Sequence, residues 1–414
     1  LPRGAARLEL EAPGGPAAPP PDMLDLLTAY RRDRELQPVA KLRTHRSGIR
    51  VTNGGGPVAD VTVDLVAVMT GRRIARSFRE IEAELVNGSE RALQRIEKAL
   101  RAAGARDGDG RPKVFQALDL EPPAEVPSPA PDAPAAEHLT AMLRRQERAI
   151  LAHDPGTRLG TDPEQLHQMR VATRRLRAFL RAARPLLEPE WAEALRSELA
   201  WLGAALGPVR DLDVLLEHLR DDASGLEARE QRALRRIFDL LEDERRRARQ
   251  TLLEALRSDR YLALLDRLED AVAAPACVES TTSVAEIAAA EFKKLRKQVK
   301  GLPAEPTDDE LHEVRIRGKR ARYAAELAES SVGKRATRFI ADAKLFQDVL
   351  GDHQDAVVAE ARVREALTRL GGEALAFAAG RLVERERARC RAARAAFPEA
   401  WERLAKRGKE AWRS

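Results

Sequence analysis

Basic residues at helical spacing dominate the stretch from His167 to Arg181, HQMRVATRRLRAFLR. Advancing about 100° per residue from His167, Arg170, Arg174, Arg177 and Arg181 fall within about 80° of it, while Met169, Ala172, Leu176, Phe179 and Leu180 gather on the far side. One helix therefore shows a cationic stripe on one side and an apolar stripe to a core on the other. Guanidinium forks match phosphate oxygens in pairs, an ammonium supplies a mobile point charge, and imidazole donates to phosphate in either charge state. No acid interrupts the first stripe, so its charges repel one another unless something anionic lies against them. Solvation, or acids supplied by a neighbouring helix, is the competing explanation.

The pattern recurs. In HEVRIRGKRARY, His312, Arg315, Lys319 and Arg322 repeat the same positions and Arg320 matches Arg175, at an offset of 312 − 167 = 145 residues. A second block, Trp201 to Leu219, resembles Lys344 to Arg362, with Gly207 matching Gly351 and Asp211 matching Asp355 at an offset of 144. Two blocks in one order at nearly one offset make residues 135 to 414 a duplicated helical bundle. Arg144, Arg145 and Arg148 in LRRQER match Lys293, Lys294 and Lys297 in FKKLRK if the following loop is four residues shorter in the second half. With a pseudo-twofold axis, four helices would then line one basic groove or pore.

Nucleic acid is one long anion for such a groove, but base readers offer stacking aromatics or Asn and Gln edges. Tyr323 is the sole aromatic of note on the stripes, which favours a bare phosphate chain. In Arg210-Asp211-Leu212-Asp213 the two carboxylates diverge by about 200° on a helix and make poor joint metal ligands. Capping of a helix after Gly207-Pro208, or holding a stripe arginine, is the expected role of Asp211 or Asp213. His138, His153, His218 and His353 lack ligand-like companions in the sequence and are expected to be surface or packing residues.

The elements that position these residues follow from composition and punctuation. The 414 residues are 43% hydrophobic, 33% charged and only 4% aromatic, and Ala, Leu, Arg and Glu dominate, which favours helices in two or three units. A net charge of +6 arises from 72 basic and 66 acidic residues, so placement matters more than total. Cys277 and Cys390 form no redox or metal pattern and fit a reducing cytoplasm. No membrane span or signal peptide is expected, and a start at LPRGAARLEL without Met reads as a fragment. After a loop at 12–21 and a short helix near 22–30, strands are expected at 39–52, 58–69 and 74–86. A helix at 89–103 and a short strand or helix at 113–118 follow. Pro-rich EPPAEVPSPAPDAP (121–134) is the linker. Beyond it, helices are expected at about 135–153, 163–184, 190–205, 208–222, 226–256, 259–272, 283–300, 307–330, 334–349, 352–369, 373–394 and 398–412, broken at Pro and Gly.

In FREIEAELVNG, Glu80, Glu82 and Glu84 share one strand face against Ile81, Ala83 and Leu85. Such a row asks for cations: a divalent metal, or cross-strand pairing with Lys41, Arg43, Arg46 or Lys113.

The pattern HxxRxxxRRxR at His167, with LGxxRDxD at Leu206 to Asp213 and weaker copies after His312 and Gly351, resembles the CHAD domain, the conserved histidine α-helical domain. The resemblance covers residues 136–412, with halves at about 136–275 and 280–412. It implies a mainly α chain in which two pseudo-symmetric four-helix bundles surround a basic cavity for inorganic polyphosphate. The residues implied are His167, Arg170, Arg174, Arg175 and Arg177 with His312, Arg315, Lys319, Arg320 and Arg322. Arg181, Arg144, Arg148, Lys293 and Lys297 join them on the helical spacing alone. No cofactor is implied there, and a cytoplasmic place, at polyphosphate granules, is expected.

Within residues 1–119, KLRTHRSGI, ADVTVD, FREIEAEL and RPK resemble the later half of a CYTH domain, the triphosphate tunnel fold, here a partial antiparallel β-barrel. That resemblance implies Arg46, Lys113 and, more weakly, Arg43 as triphosphate ligands, and Asp64, Glu80, Glu82 and Glu84 on the side of Mg2+ or Mn2+. The family's ExExK strand has no match here, so the chain is expected to be inactive, with no catalytic residue assigned. A metal-dependent inorganic triphosphatase in a full-length parent, or a nucleic-acid or ribosome-associated protein, are the alternatives.

Overall fold

The computed structural model describes residues 2–3, 6–7, 10, 13 and 19–412 apart from 88, 109, 122 and 123. Most of the loop expected at 12–21, and positions 122 and 123 of the linker, lie outside the described residues. The chain divides into two units, Arg34–Glu125 and a helical unit of Leu1–Asp33 with Val126–Ser414. The expected grouping of residues 1–119 is thereby corrected at its start. After a short antiparallel pair, β1 (Pro2–Arg3) and β2 (Ala6–Arg7), come α1 (Pro21–Leu26) and α2 (Thr28–Arg31). These two helices belong with the helical unit because Asp25 accepts a two-pronged bond from Arg257 at 2.9 and 3.0 Å, and Ala29 is fully buried in that unit's core.

The smaller unit is an antiparallel sheet of β3 (Lys41–Asn53), β4 (Gly56–Thr70) and β5 (Arg73–Leu85) in that order, followed by α3 (Glu90–Ala102) and α4 (Lys113–Leu118). Gly56 (φ 123°) and Gly71 (φ 63°) make the hairpin turns, as the sequence requires.

The helical unit continues with α5 (Ala135–Leu159), α6 (Pro163–Ala182), a 3-10 turn at Arg184–Leu186, α7 (Pro189–Ser224) and α8 (Ala228–Leu256). Then come α9 (Asp259–Ala273), α10 (Val284–Lys300), α11 (Asp308–Leu327), α12 (Glu329–Val332), α13 (Lys334–Leu370) and α14 (Glu373–Ala411). Neighbours in the first half, α5–α6–α7–α8, are matched in the second by α10–α11–α13–α14, and α6 packs on α11. The buried positions His138, Leu139, Leu143 and Gln146 of α5 match the buried Ile287, Ala288, Phe292 and Leu295 of α10 at an offset of 149.

Both stripe helices start as the sequence predicts. Asp162 accepts from Glu164 N at 3.0 Å ahead of Pro163, and Thr307 with Glu310 forms a capping box. The breaks expected at Pro155-Gly156, Gly207-Pro208, Gly351 and Pro398 do not occur: α5, α7, α13 and α14 run through them. An interior proline costs about 3 kcal/mol, which burial on both sides outweighs; in α7, Leu199, Leu202 and Leu206 precede Pro208 and Val209, Leu216 and Leu219 follow it. No described helix is long and apolar enough to cross a membrane.

Candidate functional site

Burial of Leu166, Met169, Leu176 and Phe179 on α6, and of Leu311, Val314 and Ala321 on α11, fixes how each helix is turned. The stripes meet where the helices pack. Arg174 Nε donates to Tyr323 Oη at 2.8 Å across the contact. The Lys319 ammonium is pulled down to about 7, first by burial and then by the charges of Arg315, Arg174 and Arg170. Arg315 is lowered by burial, with Asp355 opposing and Arg174 and Arg170 adding to the effect. His167 is lowered by burial and then by Arg210, with Arg174 and Arg170 contributing further. His167, Arg170, Arg174, Arg315 and Lys319 thus share one electrostatic environment. Against them stand Asp211, whose Oδ1 lies 2.9 Å from Arg170 Nη2, and Asp355. Among the described residues, the buried Nε atoms of Arg177 and Arg315 have no hydrogen-bond partner.

The glycines of α7 and α13 form the floor under these guanidiniums. A Cβ on Gly207 would stand 3.9 Å from Arg170 Nη2, one on Gly351 4.0 Å from Arg315 Nη2, and one on Gly203 3.7 Å from Arg177 Nη1. The matched pair of Gly207 under Arg170 and Gly351 under Arg315 carries the duplication into the site itself. His312 faces α13, its Nδ1 2.6 Å from Gln354 Oε1.

Several expected members lie elsewhere. Arg175 Nε pairs with Glu326 at 3.3 Å, and Arg322 Nε lies 3.5 Å from the same carboxylate and over the Tyr323 ring. Arg181 and Arg320 gather with Arg317 at another end of the helix pair. Arg144 donates to the Val272 carbonyl at 3.3 Å, and both Arg144 and Arg148 act on the Glu147 carboxyl. Lys293 and Lys297 are exposed. The burial of α5 and α10 agrees at the expected offset of 149, so Arg144, Arg145 and Arg148 correspond to Lys293, Lys294 and Lys297, while the environment of Lys319 is set by burial and then by Arg315, Arg174 and Arg170.

Sequence reasoning missed Arg210 and Arg317, although both stand inside the repeated motifs, and Arg196, which acts on Arg177 and Arg181. Asp213 pairs with Arg245 on α8 and caps nothing, whereas Asp211 holds a stripe arginine as one of the two expectations had it. His218 does have companions. Its Nε2 lies 2.9 Å from Glu386 Oε1 and 3.1 Å from Arg389 Nη1, and Glu386 raises its pKa. With Asp222 these make the only close group of three potential metal ligands among the described residues, and Arg389 already neutralises both carboxylates. His138 and His353 are buried.

On the sheet, cross-strand register sets Arg46 opposite Asp64 and Asp64 opposite Glu80. Arg46 binds Asp64 with two bonds of 2.7 Å and reaches Glu82 at 2.6 Å, while Lys113 Nζ lies 2.6 Å from Asp64 and 2.9 Å from Glu82. Asp64, 1% exposed, is drawn down to about 2 by the Arg46 hydrogen bonds, against its burial. Glu84 shares that face, opposite Asp60, whose partner is Arg50. Arg43 stands opposite Ala67, an odd number of residues from Arg46, and so belongs to the other face; its inclusion with Arg46 and Lys113 is corrected by strand alternation. The acidic row is thus answered by Arg46 and Lys113, and Asp64, Glu80, Glu82 and Glu84 are not gathered as a metal-ligand set.

Two duplicated helix sets joined through His- and Arg-bearing α6 and α11 define the class. The chain belongs to the CHAD domain family, whose model matches residues 141–364. Uncharacterized proteins from two strains of Mycobacterium tuberculosis are 32% identical over 392 residues, 86% of this chain and 74% of theirs. Among solved structures, PptA from Streptomyces chartreusis is 28% identical with a TM-score of 0.56, covering 65% of this chain and 100% of that one. The CHAD domain from the plant Ricinus communis is also 28% identical, with a TM-score of 0.53 over 67% of this chain and 96% of its own.

Proposed function

We propose that the helical unit binds inorganic polyphosphate along the groove between α6 and α11. The observation that carries this is the gathering of Arg170, Arg174, Arg315 and Lys319 against Asp211 and Asp355, with Lys319 driven down to about 7. Burying mutually repelling cations costs stability, and a polyanion in the groove offsets that cost. A phosphate chain presents oxygens at every unit to guanidinium forks and needs no stacking surface. Tyr323, the one aromatic on the stripes, is 2% exposed, sits edge-on to Phe179 and spends its hydroxyl on Arg174, so it offers no face to a nucleobase.

The smaller unit supports a second phosphate reading through the Arg46 and Lys113 cluster. Asp64, Glu80 and Glu82, the carboxylates expected on the side of Mg2+ or Mn2+, form no metal-ligand set there. As they stand they hold Arg46 and Lys113, so binding and not hydrolysis is proposed for this chain. A cytoplasmic, granule-associated place goes with the polyphosphate reading.

Titrating the full chain with long-chain polyphosphate across a salt series tests the proposal. Four phosphate contacts at about −0.7 each give a slope near −3 in log affinity against log salt. RNA at equal phosphate concentration is expected to displace little of the bound polymer. Full displacement by RNA would turn the assignment toward nucleic acid.

A further inference from the structure

The two ends of the α6–α11 groove are equivalent by duplication and different in charge. At an offset of 145 residues, Arg181 corresponds to Glu326, Arg184 to Glu329, and Arg175 to Arg320. At the α11 end, Glu326 is 8% exposed and takes Arg175 at 3.3 Å and Arg322 at 3.5 Å. The matching contact at the α6 end is Arg181 with Arg320, two cations that repel each other. Among the described residues, no carboxylate lies within ion-pair distance of Arg181, Arg317 or Arg320. Of the nearby acids, Glu291 pairs with Lys294, Glu193 pairs with Arg184 at 3.0 Å and with Arg196, and Glu286 caps α10 with Ser283, while Glu313 acts on Arg320 from beyond ion-pair distance. A cavity of ≈ 540 Å³ opens there, whose charged lining is Arg181, Arg184, Lys294 and Arg317 against Glu286 and Glu291.

We propose that the groove is one-ended in charge: its phosphate chain leaves through the Arg181–Arg317 cavity, which holds further phosphate units, while in the matching cavity of ≈ 660 Å³ at the opposite end Glu326, Glu329 and Asp348 repel them and Glu326 occupies Arg175. The inference rests on polyphosphate occupying the groove. The chemistry is that of the site itself. Guanidinium forks freed from carboxylates at one end take successive phosphates, and a buried carboxylate at the other repels them.

The full chain is titrated calorimetrically with long-chain polyphosphate in four forms: wild type, Arg170→Ala with Lys319→Ala, Arg181→Glu, and Arg175→Ala. Arg181→Glu copies onto this end the carboxylate that stands at the other and is expected to weaken binding at least tenfold and to lower the salt slope by about one to two. Arg175→Ala is expected to lower Tm while affinity stays within twofold. If Arg181→Glu does not fold, Arg320→Ala reports on the same end and is expected to lose threefold or more. Unchanged affinity in Arg181→Glu, with the double groove variant weakened, would overturn one-endedness and leave groove binding intact. A loss in Arg175→Ala equal to that in Arg181→Glu would overturn it equally. Absence of binding by the wild type would remove the groove assignment and this proposal with it.

Discussion

Lys319 states the physics of the groove most plainly. An ordinary lysine titrates at about 10.4, and this one is drawn to about 7 by burial and three arginines. Between those values the unfolded chain holds a proton that the folded chain lacks, so this residue's penalty is full below about pH 7 and is relieved as pH rises toward 10. Lys319→Met is therefore expected to raise Tm at pH 6, read by calorimetry, with a smaller gain at pH 9. A bound polyanion favours the ammonium, so at pH 8.5 binding is expected to take up nearly one proton, measured by titration in buffers of different ionisation enthalpy. Uptake should vanish in Lys319→Met, and its absence in the wild type would contradict Lys319 facing the anion. Spacing alone found Lys319 and Arg170. Spacing placed Arg322, and the family resemblance Arg175, beside them because their partner, Glu326, is chosen by packing between helices that no local pattern records. His218 escaped for the same reason, its partner Glu386 lying 168 residues away.

At the scale of elements, glycine read as a helix breaker is where expectation and structure part. Gly351, expected as a break, lies inside α13, where a Cβ would meet Arg315 Nη2 at an ordinary contact distance of 4.0 Å, whereas Gly408, expected within a helix, lies inside α14, where a Cβ would overlap the Phe292 ring. Gly351→Ala is expected to stabilise by about 1 kcal/mol from helix propensity, whereas Gly408→Ala should destabilise by about 2 kcal/mol from overpacking. Denaturant midpoints at constant m-value measure both; destabilisation by Gly351→Ala would mean that the floor under Arg315 has no spare room. Starts of helices were legible because caps are local, as at Asp162 and Thr307. Continuations through Pro155, Pro208 and Pro398 were not, because long-range burial decides them.

Across the whole molecule, the duplication was legible because it preserves both motif and offset, and the matched Gly207–Arg170 and Gly351–Arg315 contacts are its structural trace. The place of α1 and α2 was not, since the pairs Asp25–Arg257 and Arg32–Asp266 link positions more than two hundred residues apart. The net charge of +6 understates the groove, which draws cations from both halves to one contact. That convergence makes the double variant Arg170→Ala with Lys319→Ala the most direct test, measured by calorimetric titration of long-chain polyphosphate at pH 7. Two charge-assisted contacts at about 1.5 kcal/mol or more each correspond to at least a hundredfold loss of affinity, with Tm unchanged or raised because repulsion is relieved. Equal affinity in the folded double variant and the wild type would contradict the groove as the binding site.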